Sequence, residues 1–106
     1  MEIIFHEHHA VVSEHMRQRA ASGVQRLADR LARTVDAVVR FEQDGPTRRV
    51  EIILRTPRHK RLVAKCEGRF FGPALVVVLA RLRSQIAALK TSPRSRALRT
   101  RVVSRT

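Results

Sequence analysis

Residues 35–67, VDAVVRFEQDGPTRRVEIILRTPRHKRLVAKCE, decide the fold. Ala37, Val39 and Phe41 alternate with Asp36, Val38 and Arg40, so residues 35–42 read as a strand with one apolar face. Asp44-Gly45-Pro46-Thr47 is a turn. Beyond it Val50, Ile52 and Leu54 share one face of the next strand, and two such strands across a short turn make a hairpin. Thr56-Pro57-Arg58-His59-Lys60 is a second turn. Leu62, Ala64 and Cys66 then alternate inward against Arg61, Val63 and Lys65 over residues 61–67.

On the C-terminal side Gly68 breaks the alternation and the period changes. In residues 69–90, RFFGPALVVVLARLRSQIAALK, the side chains of Phe71, Leu75, Val78, Leu79, Leu82, Ile86 and Leu89 recur every three or four positions, which lines them along one face of a helix. Arg69, Arg81, Arg83 and Lys90 flank this stripe, and the segment has no acid. On the N-terminal side, residues 2–8 alternate loosely, with Ile3 and Phe5 opposite Glu2, Ile4, His6 and His8, and predict a strand. Ser13 is an N-cap with Glu14 in the first turn, and Met16, Ala20, Val24, Leu27 and Leu31 form the apolar stripe of a helix. Gly23 weakens that helix by about 1 kcal/mol relative to Ala. The order β-α-β-β-β-α predicts an α+β layer, two helices packed on one face of a four-stranded, mainly antiparallel sheet.

The 106 residues suffice for one core, so residues 1–91 are expected to form one domain. A hydrophobic content of 43% and a charged content of 29% are ordinary for a folded chain. The charge balance is not: 22 Lys and Arg against 9 acids give a net +13, which suits a polyanionic partner. The single cysteine, Cys66, has no internal disulfide partner and reads as a small strand residue. Met1 leads straight into the first strand with no secretory h-region, and the apolar run from Pro73 to Ala80 is too short to span a bilayer, so a cytoplasmic protein without a membrane partner is expected.

The basic residues are organised. Arg19, Arg26, Arg30 and Arg33 are spaced by seven, four and three, which aligns all four along one flank if the helix continues that far. Solvated helix faces normally mix signs, and only Asp29 interrupts this one. Residues 55–65 add Arg55, Arg58, Lys60, Arg61 and Lys65 without an acid. Residues 92–106 form a basic tail with Arg94, Arg96, Arg99, Arg101 and Arg105, expected to be disordered in isolation.

Catalytic constellations are missing. Gly23, Gly45, Gly68 and Gly72 form no phosphate-cradling loop, and the acids show no general acid–base pairing. His6 and His8 share a strand face, but no Cys or Asp cluster completes a zinc site. No reaction, cofactor, metal or small-molecule substrate is expected. With no Trp or Tyr, and with Phe5, Phe41, Phe70 and Phe71 mostly at core positions, base stacking is poorly supplied. An arginine-rich surface that grips phosphates suits structured RNA.

The residues also carry a family resemblance. Ile3, Phe5, His9, Ser13 and Glu14, the helix series Met16 to Leu31, the basic Arg17 and Arg26, Asp36 and the run Val50-Glu51-Ile52-Ile53-Leu54 match a known pattern. Over roughly residues 1–90 the chain resembles the short, single-domain form of the ribosome hibernation-promoting factor and ribosome-associated inhibitor family, with Arg81 where that family usually has a lysine. It is a divergent match. Arg69 to Val76 replaces the family's acidic, tyrosine-containing helix start, Glu7 replaces a glycine, and no long-form dimerisation domain is expected. The resemblance implies a factor that docks on the small ribosomal subunit and its rRNA, occupies the mRNA/tRNA channel and blocks initiation under stress. It also implies a protein that is monomeric off the ribosome. The RNA-binding residues expected on these grounds are Arg19, Arg26, Arg30, Arg33, Arg58, Lys60, Arg61, Lys65, Arg81 and Arg83. The alternative is a double-stranded-RNA-binding module not tied to the ribosome. His59-Lys60-Arg61-Leu62-Val63-Ala64-Lys65 resembles that module's lysine-rich helix start, although its alternation favours a strand. A small metal protein using the early histidines is a third reading.

Overall fold

The computed structural model describes residues 1–31, 33–34, 36–57 and 60–90; the basic tail and Arg58 lie outside them. Six elements follow in the expected order: β1 (Glu2–His8), α1 (Glu14–Ala28), β2 (Asp36–Asp44), β3 (Thr47–Arg55), β4 (Leu62–Gly68) and α2 (Phe71–Lys90). The strands lie side by side in chain order, β1 parallel to β2 and the rest antiparallel. The parallel pair follows from α1, whose crossover returns the chain to the end where β1 began. Between β2 and β3 pairing runs out to Asp44 and Thr47, leaving Gly45-Pro46 as the connection. Gly45 has φ 58°, a left-handed conformation that glycine adopts without Cβ strain.

The strand periodicities place the core. Ala37, Val39 and Phe41 of β2, Val50, Ile52 and Leu54 of β3, and Leu62 and Ala64 of β4 are buried on one sheet face. Ile3 and Phe5 of β1 and Cys66 of β4 pack at its margin. Both helices cover this face, α1 through Ala20, Val24 and Leu27, α2 through Phe71, Ala74, Leu75, Val78, Leu82 and Ile86. Phe41 meets Phe71 edge-on, with centroids 5.3 Å apart.

Ser13 caps α1 as expected, its Oγ accepting from the Met16 amide at 3.1 Å. The other end of α1 differs from expectation. The helix stops at Ala28, and Asp29 is its C-cap, with its side chain accepting from Gln25 Nε2 at 3.0 Å. Amides of Arg30 and Leu31 then bond back three residues, to Leu27 and Ala28, in a tighter turn. Leu31 still packs against the core, so the apolar pattern outlasts the helix. By length and composition α2 could cross a bilayer, with mean hydropathy 1.3 over Phe71–Leu89. Arg81 and Arg83 fall near its middle, where lipid would penalise them, and its Val78–Leu82–Ile86 stripe is spent on the sheet.

Candidate nucleic-acid interface

The two faces of the molecule carry different electrostatics. Strand alternation places Glu2, Asp36, Glu42, Asp44, Glu51 and Glu67, six of the nine acids, on the sheet face that no helix covers. Register sets them among Arg40, Arg49, Arg55 and Lys65. Arg49 bridges Glu42 and Glu67, each at 3.1 Å, and Arg40 pairs with Glu51 at 3.6 Å. Arg55 grips both carboxylate oxygens of Asp36, with Nε 2.7 Å from Oδ1. Hydrogen bonding from Arg55 holds the Asp36 carboxyl below the usual carboxylate range, against the opposing effect of its burial. The open sheet face therefore neutralises itself.

The helix side does not. Of the remaining acids, Glu7 and Glu14 both engage Arg17, at 3.0 and 3.1 Å, which withdraws that family-like basic position from other partners. Arg19 and Arg26 are exposed on α1 and make no ion pair with a described residue; Arg26 Nε donates only to the Ser22 carbonyl at 3.4 Å. They line a groove between the helices with His15, Gln18 and Ser22, floored by Leu75 and Leu79. Gly23 lets the helices approach, since a Cβ there would stand 2.6 Å from Leu79 Cδ1. Arg19 Nη1 reaches over Gly72, 3.5 Å from where a Cβ would stand.

The structure thus divides the ten expected residues. Arg19 and Arg26 line the interhelical groove, while Arg83 is exposed on α2 outside its lining. Arg30 and Arg33 are exposed just beyond it, in the turn and loop after α1 rather than on a continuous helical ridge, because Asp29 ends the helix. Lys60 and Arg61 are exposed at the entry to β4, while Lys65 belongs to the open sheet face opposite Glu51. Arg81 turns toward the sheet, its Nη1 donating to the Lys65 carbonyl at 2.6 Å. Arg58 lies outside the described residues. The stretch Lys60 to Lys65 runs from a loop into β4, so it does not form the helix start of a double-stranded-RNA module. His6 and His8 line the charged depression of the open sheet face, and no cluster of three metal-binding side chains occurs among the described residues. Sequence reasoning missed His15, Gln18 and Ser22, whose shared side of α1 was legible from their spacing. Of the four phenylalanines expected mostly at core positions, Phe70 is the exception, at 66% exposed.

These features define a class: a basic α+β domain with two helices over a four-stranded sheet, polarised between a cationic helix side and a self-neutralised sheet side. Solved structures share the fold. A ribosomal subunit interface protein from Coxiella burnetii is similar with a TM-score of 0.76 and 15% identity, over 87% of this chain and 100% of that one. The N-terminal domain of Thermus thermophilus Protein Y is similar with a TM-score of 0.69 and 19% identity, over 81% and 96%. No protein-family profile matches the sequence, and no curated protein is significantly similar to it.

Proposed function

We propose that this protein is a ribosome-associated hibernation factor that binds small-subunit rRNA in the mRNA/tRNA channel and blocks initiation under stress. The observation that carries the reading is the charge polarity: exposed, unneutralised arginines around the interhelical groove, opposite a sheet face whose charges are mutually paired. Such a surface grips phosphates and recognises shape, and it needs neither cofactor nor catalytic group. The fold shared with a ribosomal subunit interface protein supports a ribosomal partner, and a ribosomal partner entails a cytoplasmic site of action. Arg19 and Arg26 are the central contacts, with Arg30, Arg33, Lys60, Arg61 and Arg83 as outlying ones and Arg58 as a further one. Off the ribosome the protein is a monomer, and residues 92–106 supply additional basic charge.

Sedimentation of a stationary-phase lysate at low salt tests this directly. The protein is expected in the small-subunit and whole-ribosome fractions and should leave them as salt rises. Recovery solely at the top of the gradient at low salt would overturn the reading.

A further inference from the structure

The corner where β4 passes into α2 is unused by the groove, and it is where the chain departs most from its apparent relatives. Two adjacent phenylalanines part company there. Phe71 opens α2 and is 9% exposed against the core, while Phe70 is 66% exposed. Arg48 of β3 holds this arrangement: its guanidinium lies 5.8 Å from the Phe71 centroid, and its Nη1 donates to the Arg69 carbonyl. Phe70 is thus presented from backbone tied down on either side. Its ring borders two shallow depressions, one toward Arg48 and Pro46, the other toward Pro73 and Val77. Arg69 is exposed and forms no ion pair with a described residue, while the nearby carboxylate of Glu67 is engaged by Arg49.

A bare aromatic ring beside free and anchored guanidiniums, on a chain of net charge +13, matches one ligand chemistry. A nucleobase presents a π-face to the ring while its phosphate meets the arginine, and such stacking tolerates any base. We propose that Phe70 is a stacking platform for an unpaired nucleobase of the bound RNA, with Arg69 on the adjoining phosphate and Arg48 as the positioning residue. This rests on the RNA-binding reading above and adds a base contact to its phosphate contacts. Pro73 and Val77 continue the apolar surface along α2, so a protein partner at this corner is the competing outcome.

Three fluorescently labelled RNA hairpins separate the outcomes in anisotropy titrations: one with an unpaired 3′ overhang, one blunt, and one with an abasic overhang. The full chain is expected to bind the overhang about tenfold more tightly than the other two. Phe70→Ala should erase that preference without changing the salt dependence, and Phe70→Trp should keep it. The exposed position leaves the melting temperature of both variants near that of the parent. Retention of the preference in Phe70→Ala, or its full retention in Phe70→Leu, would overturn the proposal while leaving the groove reading intact. So would unchanged hairpin binding by Phe70→Ala combined with weaker association with whole ribosomes, which would assign the patch to a protein. Failure of the parent chain to bind any hairpin would overturn both readings.

Discussion

At the scale of single residues, the contact between Gly23 and Leu79 sets how closely the helices sit. Alanine at 23 would gain about 1 kcal/mol of helix propensity. Its Cβ would also press on the tip of Leu79, with Cδ1 at 2.6 Å and Cδ2 at 3.1 Å, so those methyls must turn aside within the packed interface. Overpacking of this kind costs about 1–3 kcal/mol, so Gly23→Ala is expected to be net destabilising. In a Leu79→Ala background the obstruction is gone, and the same substitution should stabilise by up to about 1 kcal/mol. Urea unfolding of the four proteins of this cycle checks the reversal of sign. Asp36 provides a second residue-level test. Its pKa is depressed in the folded state, so the stabilisation it supplies is present above the unfolded carboxylate value of about 4 and is lost as pH falls through the folded value. Asp36→Asn should therefore lower the urea midpoint at pH 7 and converge with the parent near pH 2. A gap that stays constant with pH would mean that Arg55 stabilises the charged form no better in the folded protein than water does.

At the scale of elements, the β4 edge of the sheet is covered by α2. The outward carbonyls of β4 are occupied by side chains of α2: Arg81 donates to Lys65 and Gln85 Nε2 donates to Val63 at 2.8 Å. An edge strand so covered offers a poor template for pairing with another chain. Arg81 and Arg83, two residues apart, are therefore expected to separate by function. Arg83→Gln should weaken RNA binding and lower its salt dependence, because Arg83 is exposed and makes no ion pair with a described residue. Replacing Arg81 and Gln85 together with Met should leave RNA binding nearly unchanged but expose the β4 edge, read as concentration-dependent association in sedimentation velocity. Monodisperse behaviour at every concentration would show the edge to be protected by other means. Neither role was legible in the sequence, because flanking an apolar stripe looks the same whether the neighbour is solvent, a second helix or a strand edge. The strands and the face of each helix were legible, since an alternation such as Ala37–Val39–Phe41 or a series such as Val78–Leu82–Ile86 encodes burial locally. The end of α1 was not. Leu31 continues the helical pattern while packing from a turn, so periodicity alone carried Arg30 and Arg33 onto a helix that Asp29 had already closed. The inward turn of Phe71 rather than Phe70 was legible, because only Phe71 is in register with Leu75, Val78 and Leu82.

At the scale of the whole molecule, the sorting of charge by face emerges only once four strands are in register. Arg40 faces Glu51, and Arg49 sits between Glu42 and Glu67, although members of each set lie up to 25 positions apart in the chain. These pairs cancel over distances shorter than the Debye length, which is about 8 Å at physiological salt. The long-range field therefore issues from the helix side, and an approaching polyanion is oriented before contact is made. A matched pair of variants tests that asymmetry. Replacing Arg19, Arg26, Arg30 and Arg33 with Gln removes four charges from the helix side. It should reduce the slope of log Kd against log salt for structured RNA by about three, since each phosphate neutralised contributes about 0.7–0.9. Replacing Arg40 and Glu51 with Gln together removes one charge of each sign from the open sheet face and should leave the slope unchanged. If instead the helix-side variant kept the parent slope, its arginines would be a solvated surface and the RNA would have to meet another face. If the sheet-side pair lowered the slope as well, the paired charges of that face would be opening to take phosphates, and the molecule would not bind with a fixed orientation.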